Sequence, residues 1–141
     1  MMKVFLDTNI IIDYLSRRMP FFELAAVILQ LGKSRKCELL VSSLSFATAS
    51  FILQAHYKKS HGDVVKLFAI IAELCNITTV DSHTVHAAIL SDFKDFEDAM
   101  QYDSAIRASA DVIITRNKQD FKASELPVFE PAEFIDHYKV P

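Results

Sequence analysis

The chain has 141 residues, 51% of them hydrophobic, with eleven Phe, two Gly and a net charge of −3. That length supports a real core without disulfide or metal staples, so a single domain over residues 1–141 is expected. The acidic balance excludes a bulk basic nucleic-acid binder, and no apolar run approaches the ~20 residues of a membrane span. The apolar N-terminal run is too short for a signal peptide and already carries Asp7, so a cytoplasmic location is expected. Cys37 and Cys75 lack metal-ligand spacing and read as buried, reduced thiols.

In chain order, short apolar runs alternate with longer helical patterns, as in repeated β-α units around a parallel sheet. Residues 3–6 read as a first strand, and Asp7 or Thr8 caps a helix to about Arg17, stopped near Pro20. Phe21 to Leu31 has helical apolar spacing, with Gly32 as its stop. Glu38 to Val41 reads as a second strand, and Ser42 and Ser43 cap a helix from about Leu44 to Tyr57. His61-Gly62-Asp63 reads as a turn before a helix from Val64 to Leu74. Ile77 to Val80 is a short strand, followed by a helix capped by Asp81 or Ser82. Phe96 to Ala108 is helical, Val112 to Ile114 a buried strand, and Leu126 to Phe129 an edge strand. Glu130-Pro131 opens a last helix.

Three segments carry the chemistry. The first strand ends in Asp7-Thr8-Asn9, where open α/β sheets put their ligands. Asp95-Phe96-Glu97-Asp98 opens a helix, and Thr115-Arg116-Asn117-Lys118-Gln119-Asp120-Phe121 follows a strand. Carboxylate and amide oxygens are the ligands of hard cations such as Mg²⁺ and Mn²⁺, which activate water and polarise phosphoryl oxygens. Each residue also has a plainer use: Asp7 and Asp98 can cap helices, and Asn117 can sit in a turn.

These stretches, with Val41-Ser42-Ser43 and Phe96 through Tyr102 plus Ala105, resemble the PIN domain family in order and spacing along essentially the whole chain. That family includes the VapC-type toxins of prokaryotic toxin–antitoxin pairs. The resemblance implies a three-layer α/β/α PIN-like fold with a short, mainly parallel central sheet. It implies a Mg²⁺- or Mn²⁺-dependent endoribonuclease cleaving single-stranded RNA, with an antitoxin partner and homodimers. Asp7, Asp98 and Asp120 would be catalytic, with Asn117 as a further metal ligand. Asn9, Ser43 and Thr115 would hold those ligands, and Arg17, Arg116 and Lys118 would meet RNA.

One position departs from the pattern. The family usually carries a Glu about five residues beyond the Ser that opens the third helix, and here that place is Thr48. No acid lies between Glu38 and Asp63. Glu97, Asp103 or Asp13 could substitute, or the domain could be a catalytically impaired module that binds RNA or a protein without cleaving. Clustered carboxylates also predict at least one raised pKa without metal. A haloacid-dehalogenase-like phosphatase fits poorly, because Asn9 stands where that family typically has a second Asp.

Overall fold

A computed structural model describes residues 1–138, and residues 139–141 of the expected domain lie outside the described residues. The elements run β1 (Lys3–Leu6), α1 (Thr8–Ser16), α2 (Phe22–Lys33), β2 (Glu38–Ser42), α3 (Ser43–Ala55), α4 (His61–Leu74), β3 (Asn76–Thr78), α5 (Ser82–Ile89), α6 (Phe96–Arg107), β4 (Val112–Ile114), a 3-10 turn (Lys118–Phe121), β5 (Val128–Phe129) and α7 (Pro131–His137). The sheet is parallel at every pairing, in the order β3-β2-β1-β4-β5.

Strand alternation sorts the core into two layers of packing. Val4, Leu6, Leu39, Val41, Val112 and Ile114 pack with Ile10, Ile28, Leu53, Ile71 and Phe134. Phe5, Leu40 and Ile113 point to the other side, where Ala105 and Phe121 meet them. The result is the expected three-layer α/β/α arrangement.

The strand order sets where a ligand can bind. From β1 the chain winds outward to β2 and β3, then returns to place β4 on the other flank of β1. The connections leave β1 and β4 in opposite directions, so a crevice opens beyond their C-terminal ends. Asp7 extends the β1–β4 ladder by one bond, its N–H donating to the Ile114 carbonyl at 3.0 Å.

Three local expectations change. Gly32 does not stop α2: it lies inside the helix, and Arg35, at φ 56°, takes the left-handed position beyond it. A methyl group on Gly32 would sit 2.5 Å from Leu39 Cδ1 and 3.1 Å from the Leu74 carbonyl oxygen. The glycine is there for close approach of helix to sheet, not for its backbone freedom. His61-Gly62-Asp63 is the first turn of α4 rather than a loop, because the Ser60 hydroxyl caps it by accepting from the Asp63 N–H. β3 lies at Asn76–Thr78 rather than Ile77–Val80, since pairing with β2 ends at Thr78.

Gly32→Ala tests the close approach. Overpacking costs about 1–3 kcal/mol, while Ala gains about 1 kcal/mol of helix propensity, so a net loss of roughly 1 kcal/mol is expected. Urea unfolding should show a lower midpoint at unchanged slope; an unchanged or higher midpoint would mean that Leu39 moves aside freely.

Candidate metal centre

Asp7 ends β1 and caps α1, and it is only 6% exposed. Its Oδ1 accepts from the Thr8 N–H at 2.8 Å, and its Oδ2 accepts from the Thr115 hydroxyl at 2.7 Å. The Asn9 amide adds a longer bond of 3.3 Å to the same oxygen and another of 3.3 Å to Thr115 Oγ1. Asn9 Oδ1 accepts from the Arg116 N–H, and Thr115 Oγ1 from the Asn117 N–H. Neutral donors thus hold the carboxylate and shape the loop after β4. Burial raises its pKa, with the nearby charges of Glu97 and Asp120 adding to the rise; the bonds from Thr115 and Thr8 oppose it.

Asp98 lies in the first turn of α6, whose N-cap is Asp95; the Asp95 side chain accepts from the Asp98 N–H at 2.9 Å. The cap role that Asp98 might have filled therefore belongs to its neighbour. Burial pushes the Asp98 carboxyl up to about 7, helped by the charges of Asp7, Asp95, Asp120 and Glu97. Asp120 is exposed on the 3-10 turn, and Asn117, also exposed, precedes that turn.

Among the described residues, none of Asp7, Glu97, Asp98 and Asp120 pairs with a basic side chain; every ion pair engages other acids. A buried carboxylate held by neutral donors and pressed by further acids is short of a cation. The donors, all carboxylate and amide oxygens, suit Mg²⁺ or Mn²⁺ in type. Among the described residues, however, no group of three acids, His or Cys is gathered tightly enough to chelate an ion. The acids of β1, α6 and the 3-10 turn press on one another's charge, and the donor set fits a hard cation in its chemistry.

Thr48, on α3, donates its hydroxyl hydrogen bond to Glu97 Oε1 at 3.2 Å. The other two substitute acids are committed elsewhere. Asp13, 1% exposed, takes a two-pronged pair from Arg116, with Nε to Oδ2 at 2.5 Å and Nη2 to Oδ1 at 3.2 Å. Asp103 lies beside Arg107, at 3.6 Å, and His83, at 3.4 Å.

The basic residues picked from sequence also divide. Arg116 is locked by Asp13 and stacks over the Phe21 ring at 4.0 Å, so it is a strut rather than a free RNA contact. Lys118 pairs with Glu133 at 3.1 Å. Arg17 is exposed and lies over Phe22. Sequence reasoning missed Lys94 and Lys122, which line a cleft of about 530 Å³ with Asp92, Asp95, Gln119 and Asp120.

Ser43 is exposed, and the polar work expected of it is done one residue earlier. Ser42 caps α3 and donates to Gln101 Oε1 at 2.7 Å. The fully buried Gln101 amide in turn donates to Thr8 Oγ1 at 2.9 Å and to Ser45 Oγ at 3.0 Å. Thr8 and Ser45 share a further bond of 2.7 Å. This network joins the starts of α1 and α3 to α6 beneath the acids. A Gln among small residues on a helix face was its only sequence signal.

Residues 3–119 match the PIN domain family, a span that contains Asp7, Glu97, Asp98 and Asn117 and ends one residue before Asp120. Ribonuclease VapC1 of Aquifex aeolicus (strain VF5) is 25% identical over 138 residues, covering 96% of this chain and 95% of the relative. Among solved structures, FitAB bound to the IR36 DNA fragment is similar at a TM-score of 0.66 and 17% identity, covering 91% of this chain and 94% of that one. The Mycobacterium tuberculosis VapC20, a sarcin–ricin loop cleaving toxin, is similar at a TM-score of 0.64 and 14% identity, covering 88% of this chain and 98% of that one. With the family match spanning most of its length, this chain belongs to the PIN domain family.

Proposed function

We propose that this protein is a Mg²⁺- or Mn²⁺-dependent endoribonuclease of the VapC type, acting on single-stranded RNA and restrained by a separate antitoxin. The observation that carries the reading is the buried Asp7, beside Glu97, Asp98 and Asp120, with no basic side chain to balance any of them among the described residues. The ribonuclease name of the Aquifex aeolicus relative and the RNA-loop cleavage stated for VapC20 support the substrate class. The VapC name of the Aquifex aeolicus relative and the toxin named in VapC20 support a separate antitoxin as the partner.

In this reading Asp7 and Asp98 hold the ion from β1 and α6, with Asp120 and Asn117 closing the site from the loop after β4. Bound there, a divalent cation supplies the charge that activates water and steadies the phosphoryl oxygens in phosphodiester hydrolysis. Thr115 and Asn9 fix the orientation of the Asp7 carboxylate. Lys94 and Lys122 share a cleft with Asp120, where they can hold the phosphates flanking the scissile bond. Exposed apolar side chains on α2 and α3, Leu24, Val27 and the 72% exposed Phe51, offer surface for an antitoxin or a second copy.

Asp7→Asn separates a metal ligand from a helix cap, because Asn caps a helix as well as Asp does. RNA cleavage should fall by roughly a hundredfold or more, while circular dichroism shows the metal-free variant folded, loss of the Oδ2 acceptor being offset by removal of a buried charge. Wild-type cleavage in Asp7→Asn would sink the reading. A wild-type protein that binds Mn²⁺ and RNA yet never cleaves would make it a binding module instead.

Stability should follow pH in a stated direction. The Asp98 carboxyl is raised from 3.8 to about 7, so the folded chain keeps a proton that the unfolded chain has released. Stability of the metal-free protein therefore falls as pH rises from about 4 to about 7, and the raised Asp7 carboxyl pulls the same way. Asp81, held low chiefly by Arg107, and Glu133, held low chiefly by the Glu130 N–H, pull the other way only at the acid end of that range. Thermal melts at pH 5 and pH 8 should show the metal-free protein less stable at pH 8. Saturating Mn²⁺ should raise the melting temperature most at the higher pH. A metal-free melting temperature that rises between those two values would contradict the assignment.

A further inference from the structure

We infer that the acid which PIN domains carry on the third helix has been moved in this protein to α6, where Glu97 supplies it and Thr48 holds it in place. The inference rests on the metal-dependent reading above. Its basis is a contact between the two helices: the Thr48 hydroxyl on α3 donates to Glu97 Oε1 at 3.2 Å, across 49 residues of sequence. The two positions are mutually dependent. An acid at 48 would bring a second carboxylate to hydrogen-bonding distance of Glu97, and like charges so close repel strongly. A hydroxyl there does the reverse, donating to the carboxylate and fixing its direction.

The other acids that might stand in are excluded by their partners. Asp13 is paired with Arg116, and Asp103 faces His83 and Arg107 and is not among the charges felt by Asp7 and Asp98, whereas Glu97 has no basic partner among the described residues. Glu97 also lies where a replacement must lie. It precedes Asp98 in the first turn of α6, at the positive end of the helix, and its charge is felt by both Asp7 and Asp98. The Glu97 side chain spans from α6 to Thr48 on α3. The acid count of the site is thereby kept, with one ligand arriving from a different helix.

The test is calorimetric titration of the full chain with Mn²⁺ alone, with far-UV circular dichroism and melting curves to confirm that each variant folds. Glu97→Gln should weaken Mn²⁺ binding at least about tenfold, as loss of groups around a metal does. Adding Thr48→Glu to that variant should recover most of the affinity, because the carboxylate returns to the same place from α3. Thr48→Glu alone puts a second carboxylate beside Glu97, so the metal-free variant should melt lower than wild type and Mn²⁺ should recover the loss. Thr48→Val should weaken it about fivefold, the equivalent of one hydrogen bond, and Thr48→Ser should bind as wild type does. Wild-type affinity in folded Glu97→Gln overturns the inference, and so does a folded double variant that recovers nothing. A wild-type protein that binds no Mn²⁺ would instead bring down the metal-dependent reading on which the inference stands.

Discussion

Asp7 is a charged group that the fold places inside the protein before anything is available to neutralise it. β1 carries it inward because Val4, Phe5 and Leu6 are all fully buried, and the strand has no room to end at the surface. The Thr115 hydroxyl, from the end of the neighbouring β4, is the bond that makes this tolerable, and Asn9 and the Thr8 N–H complete its shell. Neutral donors stabilise the carboxylate without cancelling its charge. The site therefore keeps a negative potential that an ordinary Asp–Arg pair would have abolished, and that potential is what a cation site needs.

The rest of the centre depends on holding three helix starts at fixed separation around that carboxylate. Gln101 does this from inside α6, bonding to Ser42, Ser45 and Thr8, which lie at the beginnings of α1 and α3. A fully buried amide with both of its polar atoms satisfied acts as a geometric key, since any shift of one helix breaks a bond that water cannot replace. Glu97 and Asp98 project from the turn of α6 just before Gln101, and Thr48 lies one turn beyond Ser45 on α3. The network beneath thus fixes the register in which Thr48 and Glu97 meet.

What the sequence reveals and what it hides follow from range. The strands are visible because buried parallel strands are apolar on both sides, and Asp7, Thr8 and Asn9 stand out at the end of such a run. The start of α6 is visible because Asp95 through Asp98 combines a cap with acids in the first turn. Errors of one residue, Ser43 for Ser42 and Ile77 for Asn76, arise because side-chain direction at an element's edge depends on pairing partners that periodicity does not contain. Gly32 looks like a helix stop in the sequence because the proximity of Leu39 and Leu74 is invisible in one dimension. Asp13 did leave a trace: a lone acid between Ile12 and Leu15 on a buried helix face must have a partner, although nothing local says that it is Arg116.

That Asp13–Arg116 pair shows why a basic residue beside a strand end in the sequence need not face the open cleft. Arg116 follows the strand end that bears Thr115, so it looks like a cation at the edge of the site. It turns back instead, its guanidinium forked onto Asp13 and its plane over Phe21. A buried pair with this geometry is expensive to break, since either partner alone would be left charged and desolvated. The lock fixes the chain between Thr115 and Asn117 from the α1 side, just as the Thr115–Asp7 bond fixes it from the sheet. With Arg116 turned back onto Asp13, the cleft beside α6 and the 3-10 turn is lined by Lys94 and Lys122 together with Asp92, Asp95 and Asp120, a wall of mixed charge rather than a basic stripe.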